Sequence, residues 1–111
     1  MSGISTHVLD VAAGSPAAGI RVILEKRSGD HWRQVGSGVT NGDGRIESLL
    51  EGELDDRTYR LSFLTSKYHE SQGLDAFFPE VTVTFEVRDS GSHHHVPVLL
   101  SPHGYTTYRG S

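Results

Sequence analysis

Cysteine is absent from all 111 residues. Disulfides, thiolate metal ligands and a cysteine nucleophile are therefore excluded, and the redox compartment is left undetermined. Long apolar runs are missing too, with nothing approaching the roughly 20 residues of a membrane-spanning helix. There is no excess of basic charge. Ten Lys and Arg stand against fourteen Asp and Glu, a net charge of −4 with the signs intermixed, so no basic stripe awaits nucleic acid. The opening Met1-Ser2-Gly3-Ile4-Ser5-Thr6 has neither the basic nor the apolar region of a secretory signal. The closing Arg109-Gly110-Ser111 is not a peroxisomal address. These absences lead to the expectation of a soluble, cytoplasmic protein without nucleic-acid or membrane partners.

What is present is short alternation, broken at regular intervals by turn residues. Residues 1–111 form one domain by length, able to bury roughly two-thirds of the unfolded surface without covalent staples. Ile4 to Ala12 reads as a first strand closed by Gly14-Ser15-Pro16, and Gly19 to Arg27 as a second, with Ile20, Val22 and Leu24 on one face. Ser28-Gly29-Asp30 signals a hairpin into Trp32 to Val39. Asn41-Gly42-Asp43-Gly44 is a tight turn before a strand over Arg45 to Leu50. Arg57 to Leu64, Val81 to Val87, His93 to Leu100 and Gly104 to Arg109 complete about eight strands. Between Leu64 and Val81, Thr65 or Ser66 can cap a helix of about two turns through Gln72, with Gly73 ending it. Such short strands predict an all-β antiparallel sandwich or barrel.

Seven histidines carry most of the chemical interest. His31, His69 and His103 fall in turns or the helix and read as solvated imidazoles. His7 lies mid-strand. His93 and His95 share one strand face, while His94 shares the other with Val96, Val98 and Leu100 and borders the core. If their strands are neighbours, His7 and His95 meet on an outer face, where paired imidazoles can act as base and proton shuttle near neutral pH. Arg45, directly after a glycine-rich turn, can aim a planar guanidinium at an anionic or carbonyl-rich ligand. His7, His93 and His95 would also be a reasonable zinc set, although no HExxH pattern accompanies them. Ser111 has no evident Asp–His partners, and no Gly-x-Ser-x-Gly elbow supports a serine nucleophile.

Several fragments, in order, resemble the transthyretin-related 5-hydroxyisourate hydrolases: Thr6-His7-Val8-Leu9-Asp10, Gly14-Ser15-Pro16-Ala17, Thr40 to Arg45, His95 to Pro102, and the closing Tyr108-Arg109-Gly110-Ser111. Transthyretin, the thyroid-hormone carrier, shares the Val-Leu-Asp and Gly-Ser-Pro-Ala elements but not the histidines, arginine or closing tetrapeptide. His94 stands where many relatives have tyrosine. The resemblance implies a transthyretin-like sandwich of two four-stranded antiparallel sheets with one short helix, assembled as a homotetramer with sites along a central channel. It also implies hydrolysis of 5-hydroxyisourate to 2-oxo-4-hydroxy-4-carboxy-5-ureidoimidazoline in urate breakdown, with neither metal nor cofactor. His7, Arg45, His95 and Ser111 would be catalytic, and His7, Arg45 and Tyr108 would bind substrate. A transthyretin-like carrier without catalysis and a zinc-dependent hydrolase are the alternatives.

Overall fold

The computed structural model describes residues 3–111. Nine strands and one helix follow in order: β1 (Gly3–Asp10), β2 (Ser15–Pro16), β3 (Arg21–Ser28), β4 (His31–Val39), β5 (Arg45–Ile46), β6 (Thr58–Leu64), α1 (Ser66–Ser71), β7 (Val81–Glu86), β8 (His93–Ser101) and β9 (Gly104–Thr107). Two sheets face each other. One has the order β4-β3-β6-β7; the other runs β2-β1-β8-β9, with the two-residue β5 also paired to β1. The inward-facing residues are the ones the alternation selects. Ile4 and Val8, Val22 and Leu24, Tyr59, Leu61 and Phe63, and Val98 and Leu100 are buried between the layers. A valine, leucine or phenylalanine so buried contributes about 1.5–3 kcal/mol.

The pairing differs from expectation in three places. β1 and β8 run parallel, from Gly3 opposite His93 to Asp10 opposite Leu100, whereas the other pairs are antiparallel. A parallel neighbour needs a crossover connection, here almost the whole chain, and periodicity within a strand carries no direction. The first strand stops at Asp10, and Ser15–Pro16 folds back against Leu9 and Asp10 instead of leading away. The strand expected over Arg45 to Leu50 pairs only at Arg45 and Ile46. Beyond it the chain continues irregularly along β1, with the Leu49 amide donating to the Ile4 carbonyl (3.0 Å).

Helix α1 sits where the alternation fails, and Gly73, at φ 72°, terminates it. No side chain caps its start at Thr65; Ser66 Oγ instead donates to the Pro79 carbonyl at 2.6 Å. The helix is pinned to β1 by Tyr68, whose hydroxyl donates to Asp10 Oδ2 (2.6 Å). Asp10 Oδ1 accepts from the Ala13 amide. Burial, then the Asp10 carboxylate, push the Tyr68 hydroxyl up to about 12. His69 corrects an expectation. It is only 2% exposed, its ring edge-on to Tyr68, because a six-residue helix lying on the sandwich turns one residue per turn inward. His31 and His103 are exposed as expected. Among the described residues no helix is long and apolar enough to cross a membrane.

Candidate active site

Even-numbered residues of β1 point into the core, so odd-numbered Ser5 and His7 lie on the outer face. On the adjacent β8, His94 is buried toward the core, which puts His93 and His95 on that same outer face. Register places Ser5 opposite His95 and His7 opposite Pro97. The two histidines expected to meet therefore sit diagonally on neighbouring strands.

Arg45 arrives from the other side of β1. It pairs with His7 in the register, and the preceding turn fixes it there. Asn41 Oδ1 accepts from the amides of Asp43 (2.9 Å) and Arg45 (3.0 Å), and the Asn41 amide donates to the Arg45 carbonyl. Gly44 is the pivot. Its φ is +75°, and a Cβ there would lie 2.3 Å from the Val8 carbonyl oxygen, so only glycine lets the turn lie against β1.

The chain end returns to the same face. The Gly110 amide donates to the His95 carbonyl (2.8 Å), forming an isolated bridge between the two residues. A Cβ on Gly110 would meet His95 Cδ2 at 2.6 Å and Pro97 Cγ at 3.1 Å. The missing side chain is what lets the tail lie flat on the imidazole. Ser111 then faces an open cleft of about 320 Å³ with Ser5, Arg45, Glu47, His93 and His95.

His95 is half-buried within the cleft. Burial lowers its pKa below the ordinary imidazole value, and the nearby Arg45, His7 and His93 push in the same direction. The neutral imidazole is thus favoured. Ser5 Oγ lies 2.7 Å from His95 Nδ1 and 2.7 Å from His93 Nε2. These contacts engage two nitrogens of the imagined zinc set, and among the described residues no group of three His, Asp or Glu could hold a metal ion.

Of the residues expected to act together, Arg45, His95 and Ser111 line one cleft, and His7 flanks it opposite Arg45. Tyr108 does not join them. It lines a smaller apolar pocket with Val83, Phe85, His95 and Val96, just past the end of β9 at Thr107. Sequence reasoning missed Ser5 and Glu47, and weighed His93 only as a metal ligand. The signal for Ser5 was its phase, two residues from His7 on one strand.

Fold and cleft together define a transthyretin-like β-sandwich with an imidazole- and guanidinium-bearing site on one outer face. The chain belongs to the HIUase/Transthyretin family, whose sequence model matches residues 4–110. Within that family, it is 46% identical to the 5-hydroxyisourate hydrolase of Salmonella dublin over 109 residues, covering 97% of this chain and 80% of that one. The solved 5-hydroxyisourate hydrolase of Klebsiella pneumoniae superposes with a TM-score of 0.85 at 33% identity, covering 97% of this chain and 98% of that one. Sea bream transthyretin, solved with thyroxine, has a TM-score of 0.88 at 28% identity, covering 96% and 93%. The fold is therefore common to enzyme and carrier, and the residues in the cleft must distinguish them.

Proposed function

We propose that this protein hydrolyses 5-hydroxyisourate to 2-oxo-4-hydroxy-4-carboxy-5-ureidoimidazoline, acting in the cytoplasm as a homotetramer. The observation that carries the reading is the convergence of Arg45, His95 and Ser111 on one cleft, from three distant parts of the chain. A carrier site needs shape and apolar contact; it has no need of a neutral imidazole beside a guanidinium.

His95 takes a proton from water. The water oxygen bonds to a ring carbonyl carbon, the carbon–nitrogen bond breaks, the released nitrogen takes up that proton, and the new carboxylic acid gives water's second proton to solvent as it becomes a carboxylate. General-base assistance of this kind contributes about 10²–10⁴-fold. Arg45 orients the oxygen-rich ring and stabilises the oxyanion of the tetrahedral intermediate. His7, beside Arg45, binds the substrate's polar edge, and Ser111 closes the cleft. Tyr108 serves by anchoring the tail that carries Ser111.

Adding the purified protein to freshly generated 5-hydroxyisourate and following its ultraviolet decay tests the reading. Decay should far outpace the spontaneous rate and survive exhaustive chelation. Saturable binding at an unchanged rate of decay would make the protein a carrier.

A further inference from the structure

The hydroxyl of Ser5 sits between two imidazoles, 2.7 Å from His95 Nδ1 and 2.7 Å from His93 Nε2. Ser5 is only 7% exposed, and β1–β8 pairing holds it opposite His95 and two residues from the position opposite His93. A serine hydroxyl has one proton to donate and two lone pairs with which to accept. With both imidazoles neutral, Ser5 can donate to at most one of them. Either His95 Nδ1–H donates to Ser5, which donates to His93 Nε2, or both bonds run the other way, or Ser5 accepts from both rings.

From these contacts we propose that Ser5 and His93 are positioning residues: they fix His95 in the Nδ1–H tautomer, with Nε2 free as the base, and hold its surplus charge at the surface until Nε2 returns water's proton to the released nitrogen. The inference rests on the hydrolase reading above. The neighbours of His95 select the direction. Nδ1 is held by Ser5 and Cδ2 lies against Gly110, so Nε2 is the nitrogen left for a water. The other charged or titratable groups around the cleft are His7 on β1, Arg45 on β5, Glu47 just beyond it and His93 on β8. The Arg45 guanidinium can only donate, so its field favours a lone pair on the adjacent ring and disfavours a second N–H. When Nε2 takes water's proton, the Nδ1 proton passes to Ser5 Oγ as the Ser5 proton passes to His93 Nε2. The positive charge then moves from half-buried His95 to exposed His93, where water solvates it, and the relay runs back as Nε2 gives its proton to the released nitrogen, restoring the Nδ1–H tautomer.

Nitrogen-15 imidazole spectra of the full chain without substrate, paired with kinetics of Ser5→Ala and Ser5→Thr, test the proposal. Neutral wild-type His95 should carry its proton on Nδ1. Ser5→Ala should give a mixture of tautomers and lower kcat by about 10- to 100-fold with KM little changed, the scale seen when the orienting partner of a metal-bound histidine is lost. Ser5→Thr, which keeps a hydroxyl, should restore both the spectrum and most of the lost kcat. A wild-type His95 protonated on Nε2, or Ser5→Ala with wild-type tautomer ratio and kcat, would overturn it. Because the spectra need no turnover, absence of hydrolysis would count against the functional reading while the tautomer is judged on its own.

Discussion

Arg45 and His95 bear different burdens, and each can be withdrawn separately. Arg45 is an exposed side chain on a rigid turn, so shortening it removes a charge without opening the core. Loss of one donor to a developing oxyanion costs about 2.7–4 kcal/mol in hydrolases. Arg45→Ala should accordingly lower kcat/KM by roughly two to three orders of magnitude, with the unfolding midpoint almost unchanged; steady-state kinetics beside urea titration check this. As the proposed base, His95 should set the acid limb. Its pKa is lowered by burial and by Arg45, His7 and His93, so the neutral, reactive form persists below the ordinary value of 6.5. The acid limb of kcat/KM should lie below pH 6.5, and Arg45→Gln should move it upward. The sign for stability is fixed by the same shift. An imidazole harder to protonate when folded makes the unfolded chain bind more protons in acid, so stability rises with pH through the window just below 6.5 and is diminished on its acid side.

Between residues and molecule stand the elements that bring the site together, and here the sequence was legible in two respects. Alternation named the faces correctly: His94 inward with Val96 and Val98, His95 outward. Turn chemistry named the Asn41–Gly44 loop and hence the placing of Arg45. Direction and adjacency lay outside that language. The parallel β1–β8 pair joins residues some ninety positions apart, and no local pattern encodes it, so the Ser5 bridge could not be read in advance. A six-residue helix is likewise too short to display a period, which is why His69 looked solvated when it is buried. The tail shows how narrow such placement is. Gly110 lies where a methyl group would meet His95 and Pro97, 2.6 and 3.1 Å away. Neither neighbour can yield, one being held by Ser5 and the other built into β8. Gly110→Ala should lift the tail and lower kcat/KM at least about tenfold. Stability should change by no more than about 0.5 kcal/mol, the usual range away from the core. Stopped-flow kinetics with urea unfolding separate the two effects, and an active variant would detach the closing tetrapeptide from catalysis.

At the scale of the whole molecule the question is what covers its edges. β7 and β9 each end a sheet, leaving backbone donors and acceptors unpaired along both, which natural proteins rarely leave bare. Large apolar side chains gather beside β9. Phe77 is 75% exposed and Tyr105 40% exposed. Phe77 packs edge-on against Phe78, which packs edge-on against Tyr105, with ring centroids 5.0 and 5.4 Å apart. The Phe77 amide donates to the Pro102 carbonyl in the turn before β9, so the ladder is fixed to the chain and not merely loose on a loop. An exposed aromatic ladder beside an unpaired strand is the kind of surface that a second copy covers, and this supports the proposed tetramer. Phe77→Glu tests it with little cost to the fold, since most of the ring already meets water. Sedimentation velocity should find four copies in the wild type and fewer in the variant. Turnover should fall with the loss of assembly if the cleft is completed by a neighbouring copy. A wild-type protein that sediments as one chain and turns over fully would leave the ladder without a partner and confine the chemistry to the single sandwich.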